Sequence, residues 1–182
     1  MKTDLTPSVD EIRRAVAAVP DPELPPVTVG MLGMIHDVRV DGGAVEIELL
    51  PTFSGCPATE MIERDVRDAV ADVDGVEEIS IRFRFDPPWT ADRITDEGHE
   101  RLRSFGIAPP TGSAAVSDVK AGGRRSLPVM AARPERGADD PRPCPYCGSE
   151  QTAQESPFGP TPCRDIRFCD SCHQPFEAFK NL

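Results

Sequence analysis

Five of the six cysteines in this 182-residue chain fall after position 143, and four of them form two Cys-x-x-Cys pairs, Cys144/Cys147 and Cys169/Cys172. Each pair suits a tight turn whose amides hydrogen-bond the sulfurs, and two such knuckles can set four thiolates in a tetrahedron. Zinc is the favoured ion for that donor set, with mononuclear iron second. A segment of about 40 residues buries too little surface to fold alone, so a structural metal would supply the missing stability. The fifth cysteine, Cys163, ends the run Phe158-Gly159-Pro160-Thr161-Pro162-Cys163. Three roles are open to it: a substitute ligand in the knuckles, a redox-active thiol, or a partly buried thiol near the ribbon.

The sixth, Cys56, stands alone in Leu50-Pro51-Thr52-Phe53-Ser54-Gly55-Cys56-Pro57-Ala58, where a strand pattern stops and a helix pattern starts. Proline suits a first helical turn, which puts Cys56 at or beside the N-cap, and the helix dipole and free amides there favour a thiolate. Such a group can bind a metal, accept a persulfide or attack an electrophile. The plainer alternative is a small apolar filler in an ordinary cap. No Cys-His-Asn/Asp grouping can be inferred, because His36, His99 and His173 each occupy positions that a surface or packed histidine fills. Asp21 and Glu23 lie in a proline-stiffened loop and gain interest only if the fold returns that loop to Cys56.

The elements that would position these residues can be followed in order. Ser8 with Glu11 makes a capping box, and Val9, Ile12, Val16 and Val19 recur at helical spacing until Pro20 and Pro22. Met34 to Val40 and Ala44 to Leu50 read as a hairpin around Asp41-Gly42-Gly43. In its second strand Val45, Ile47 and Leu49 alternate with Glu46 and Glu48, so one face is buried and one wet. A helix is predicted from about Pro57 to Ala71, striped by Ala58, Ile62, Val66, Ala69 and Val70. A third strand follows from Val76 to Phe85, with Ile79, Ile81, Phe83 and Phe85 inward. Strand, helix and strand in succession imply a crossover with parallel pairing. A last helix is expected from Thr95 to Phe105, with Ile94, Leu102 and Phe105 inward and Gly106 as its stop.

The predicted fold class is therefore a small α/β (α+β-like) domain, a three-stranded sheet with helices on one face, followed by a small β-rich zinc ribbon. The expected boundaries are 1–108 for the first domain, 109–142 for a flexible linker rich in Ala, Gly, Pro, Ser and Arg, and 143–182 for the ribbon.

Charge narrows the partners. The formal net charge is −11, and residues 1–108 alone hold 22 acidic against 11 basic side chains. Both expected domains are acidic, which argues against a nucleic-acid backbone and suits a basic protein partner. No apolar run reaches the roughly 18 to 20 residues of a membrane span, and the first residues lack a basic region followed by an apolar stretch. The expectation is a cytoplasmic protein that binds neither membrane nor nucleic acid, with its paired cysteines reduced.

Three pieces in order, Asp21-Pro22-Glu23-Leu24-Pro25, Leu32-Gly33-Met34-Ile35 and Pro51 through Ala58, resemble the small domain of iron–sulfur cluster assembly factors associated with the SUF and cytosolic pathways. With Asp86-Pro87-Pro88-Trp89-Thr90, Phe105-Gly106-Ile107-Ala108-Pro109-Pro110 and Pro175-Phe176-Glu177-Ala178-Phe179-Lys180, nearly the whole chain outside the linker is similar to the D-component family (J in some organisms) of multicomponent ring-1,2-phenylacetyl-CoA epoxidases. The resemblance implies that Asp21 and Cys56 form the functional and cofactor-binding site, and that iron or an iron–sulfur cluster is bound there transiently. It implies an accessory role in aerobic phenylacetate degradation, beside a di-iron oxygenase or a reductase component, without turnover by this chain itself. The paired Glu-x-x-His helices of a di-iron centre are absent from the sequence. Two rivals remain: a scaffold that assembles the epoxidase with Cys56 inert, and a thiol enzyme acting on CoA thioesters through Cys56.

Overall fold

The computed structural model describes residues 6–111 and 142–181. Helix α1 (Val9–Ala17) begins at Ser8, whose hydroxyl accepts from the Glu11 amide while Glu11 reaches back to the Ser8 amide, and it buries Ile12 and Val16. Strands β1 (Ile35–Asp41) and β2 (Ala44–Leu49) pair antiparallel around Gly42, where φ is +58°. After α2 (Thr59–Ala71), strand β3 (Glu78–Phe83) runs parallel to β2, so the crossover expected from the strand–helix–strand order is present. The sheet order is β1-β2-β3. Val45, Ile47 and Leu49 are buried, while Glu46 is exposed and Glu48 meets Arg84 at 3.2 Å on the wet face. Helices α1 and α2 touch each other, β1 and β3, giving the α/β layer that the sequence predicts.

Two expected core residues lie elsewhere. Phe85 falls beyond the end of β3 and is exposed, because the strand stops at Phe83, three residues before Asp86 and the prolines that follow it. Phe105 caps the C-terminus of α3 (Asp96–Ser104) and is also exposed; the helix buries Gly98 and Leu102 instead. Gly98 is needed because a Cβ there would sit 2.7 Å from the Met31 carbonyl.

The C-terminal part is joined to this layer by hydrogen bonds. Strand β4 (Ile107–Ala108), which follows α3 directly, pairs parallel with β7 (Pro175–Phe179). With β5 (Thr152–Ser156) and β6 (Arg164–Cys169) it completes a second sheet of order β4-β7-β6-β5. The Trp89 ring lies 5.8 Å from that of Phe179, and its Nε1 donates to the Leu32 carbonyl at 2.8 Å. Phe179 and Cys163 thus belong to the same buried cluster as Ile12, Val66 and Leu102. Of the linker expected over 109–142, residues 112–141 lie outside the described ones. Its two ends meet: the buried Arg142 donates from Nη1 to the Pro109 carbonyl at 2.9 Å. Among the described residues no helix is long and apolar enough to cross a membrane.

Candidate functional site

The Cys56 turn is held by short-range bonds. The Cys56 amide donates to the Phe53 carbonyl at 3.1 Å, and the Thr59 hydroxyl donates to the Cys56 carbonyl at 3.1 Å. The helix starts later than predicted: Ala58 is the N-cap of α2, with no side-chain cap, so Cys56 stands two residues ahead of it. Its half-buried thiol still meets the amides of Ala58 and Thr59, which favour a thiolate. Burial nonetheless outweighs them and, with the carboxylates of Glu23 and Asp21, holds the thiol above its ordinary range. The amides ahead of the helix therefore do not by themselves lower this thiol, whereas a nearby cation would favour its thiolate.

The loop of Asp21 and Glu23 comes back within electrostatic range of Cys56. Pro20 and Thr28 bridge the base of the loop, and the Asp21 amide donates to the Val27 carbonyl at 2.9 Å. Leu24 and Val27 anchor it in the core. Asp21 is 8% exposed; its Oδ1 accepts from the amides of Glu23 at 2.8 Å and Leu24 at 2.9 Å. Burial raises its carboxyl above the usual range, the two amides and Arg164 working against that shift. Beside the turn an apolar hollow of about 280 Å³ is lined by Pro51, Phe53, Ser54, Arg84, Phe85 and Trp89.

In the ribbon the four predicted ligands converge. The sulfurs of Cys144, Cys147, Cys169 and Cys172 all lie within 4.8 Å of one another, with Cys144–Cys172 at 3.7 Å and Cys147–Cys169 at 3.6 Å. Tetrahedral zinc with Zn–S bonds of roughly 2.3 Å sets its sulfurs about 3.8 Å apart, so the group fits the ion. The Cys172 and Ser171 amides bring the Cys169 thiol down to about 7 despite its burial. Burial and the neighbouring Cys169 push Cys172 up to about 12, as expected where four thiols share one space without a cation.

Cys163 is not part of that group. It is buried, its sulfur lies 3.2 Å from the Thr161 hydroxyl, and it packs in the cluster of the first domain. Burial raises its thiol, and the carboxylates that act on it are again Glu23 and Asp21. Arg164, next in the chain, donates from Nε to Thr161 at 2.8 Å and from Nη1 to Glu177 at 2.6 Å. Sequence reasoning left Cys163 undecided and missed Arg164 and Thr161, since no spacing rule links position 163 to positions 21 and 56. His99 is near Arg103 on α3, and the His173 ring lies tilted beside that of Phe168 with centroids 6.3 Å apart, so both serve other surroundings.

Comparison with known proteins follows this division. Residues 9–81 match the family described as iron–sulfur cluster assembly protein, and residues 130–180 match the PaaD zinc beta ribbon domain. An Escherichia coli protein provisionally named as the D component of 1,2-phenylacetyl-CoA epoxidase is 35% identical over 180 residues, 99% of this chain and 97% of that one. The chain belongs to the D-component family of phenylacetyl-CoA epoxidases. An iron–sulfur protein maturation auxiliary factor of Porphyromonas gingivalis is 36% identical, over 53% of this chain and 92% of its own length. A crystal structure of a domain of unknown function, DUF59, from Bacillus anthracis covers 52% of this chain and 90% of that one at 30% identity, with a TM-score of 0.49. In this chain the region matched to the assembly family contains Cys56 and Asp21, and the region matched to the ribbon family contains the four-thiol group. Their combination points to an accessory role in iron–sulfur handling together with metal binding.

Proposed function

We propose that this protein matures or maintains a metal centre of a phenylacetyl-CoA epoxidase, taking iron or an iron–sulfur unit at Cys56, with Asp21 assisting, and passing it to another component of the complex. The client is either the di-iron oxygenase or the cluster of the reductase, and the work is assigned to the cytoplasm, where thiols stay reduced. One observation carries the reading: a half-buried thiol lies within electrostatic range of two carboxylates, Glu23 and Asp21, on a loop whose Leu24 and Val27 are anchored in the same core. Carboxylates beside a thiol oppose a nucleophilic thiolate and favour a bound cation, which makes a holding site a better account than covalent catalysis on a thioester. Zinc in the four-thiol group would keep the ribbon folded, and that ribbon supplies a docking surface.

The test is a Cys56→Ser chain in a host that otherwise lacks this protein. Iron in the purified oxygenase and cluster content in the reductase would both be measured, with assembly of the complex checked by size. A deficit in one of the two, in an assembled complex, is expected and names the client. Full metal content in both would refute delivery through Cys56 and leave assembly as the role.

A further inference from the structure

We propose that the ribbon turn Pro157-Phe158-Gly159-Pro160 is the knob by which this protein docks onto another component of the epoxidase, one that offers an apolar socket rimmed by Lys and Arg side chains. This rests on the reading of the ribbon as a docking surface and names the contact and the chemistry of its partner. Phe158 is 81% exposed, more than any other large apolar side chain among the described residues. Pro157, Pro160 and Pro162 in the same connection are exposed as well, so the tip between β5 and β6 is apolar and unshielded. Other outlying aromatics have close neighbours: Phe85 and Trp89 line one hollow, and Tyr146 lies against Gly106.

The tip is held in place and does not fold over its own ring. The Ser156 hydroxyl accepts from the Phe158 amide at 3.1 Å and donates to the Phe158 carbonyl at 2.9 Å. The Gly159 amide donates to the Arg164 carbonyl at 3.1 Å, and a Cβ at Gly159 would sit 2.8 Å from that oxygen, so glycine lets the loop lie this close to β6. Arg164 is fixed in turn by Thr161 at 2.8 Å and Glu177 at 2.6 Å, and Lys180 donates from Nζ to the Pro162 carbonyl at 2.7 Å. Prolines on both sides of Phe158 fix the backbone further. A ring presented on so fixed a backbone loses little freedom on binding, and aromatic side chains are enriched at protein interfaces.

Charge and position in the chain select the partner. Arg164 is paired with Glu177, Arg167 with Asp165, and Lys180 is bonded to a carbonyl. Glu155, exposed and three residues before Phe158, has no cationic partner among the described residues. With a formal net charge of −11 over the chain, this tip meets a basic rim more readily than an acidic one. The same charge opposes a second copy of this acidic chain and an anionic bilayer. The tip also lies within residues 130–180, matched to the ribbon family, well past residue 81 where the match to the assembly family ends. A contact made there favours an epoxidase component over a partner shared by assembly factors in general.

The full chain, with its ribbon filled by zinc, would be titrated against the purified di-iron oxygenase and the purified reductase of the same epoxidase. One of them is expected to bind, and Phe158→Ala should weaken that binding by at least about thirtyfold. Glu155→Lys should slow association several-fold and flatten its dependence on salt. Both side chains are exposed, so zinc content and Trp89 emission should match the parent, which separates a lost contact from a lost fold. Equal affinity of the parent and Phe158→Ala, or no binding of the parent to either component, overturns the proposal. Unchanged association of Glu155→Lys overturns the basic rim, and a dimer of the parent that Phe158→Ala dissolves overturns the partner by naming a second copy instead. If Cys56→Ser starves the client while Phe158→Ala binds as the parent does, delivery stands and the docking tip is wrong. If the client is fully loaded with Cys56→Ser yet binding depends on Phe158, the docking tip stands and delivery is wrong.

Discussion

Replacing Phe179 by Ala tests whether the two matched regions form one cooperative structure. Phe179 is fully buried, packs on Trp89 across the boundary between the regions, and ends the strand that pairs with Ile107–Ala108. Removing a buried phenylalanine ring costs about 3 to 5 kcal/mol, since the surroundings close only part of the cavity. With an assumed loss of about 4 kcal/mol and a urea dependence of roughly 2 kcal/mol per molar, the midpoint should fall by about 2 M. Trp89 is the only tryptophan in the chain, so its emission follows the first region without further labelling. Release of ribbon metal to a chromogenic chelator follows the second. Both midpoints should fall together. A Trp89 transition that stays in place while the ribbon alone loosens would refute a shared core.

Two further outcomes follow from the site. Asp21→Asn keeps an oxygen for the Glu23 and Leu24 amides and removes a desolvated charge. Because burial raises the folded pKa above its ordinary 3.8, the unfolded chain binds fewer protons in that window and stability falls as pH rises through it. The variant should therefore melt above the parent at pH 7, with a gain that shrinks as the pH approaches 3.8 and with weaker iron loading; a lower melting temperature at pH 7 would contradict this account. Stripping the ribbon metal, or making Cys147→Ser, should unfold β5 to β7 and withdraw Phe179 from Trp89, read as a red shift in tryptophan emission. An unshifted spectrum after complete metal removal would show that the ribbon holds itself together without the ion.

The sequence carried the local layers well because each rests on a short-range rule. Alternation of Val45, Ile47 and Leu49 with glutamates marks a half-buried strand wherever it occurs, and the Ser8–Glu11 box marks a helix start. The two Cys-x-x-Cys knuckles are legible for the same reason, since each fixes its own pair of ligands. Reasoning of that kind failed at Phe85 and Phe105, where an apolar residue continues a period past the end of its element and is left in solvent.

What the sequence determined by itself was thus the element order, the hairpin and crossover, the four-thiol group and the prominence of Cys56. The tertiary structure decided which distant residues pack near one another. Asp21 comes within electrostatic range of Cys56 in a loop whose base is closed by the bridge between Pro20 and Thr28, and Cys163 packs away from the knuckles in the first core, which β7 joins by pairing with β4. Neither placement has a spacing that could announce it: both depend on long-range pairing and burial, which fix the direction of a side chain only once the layers have packed.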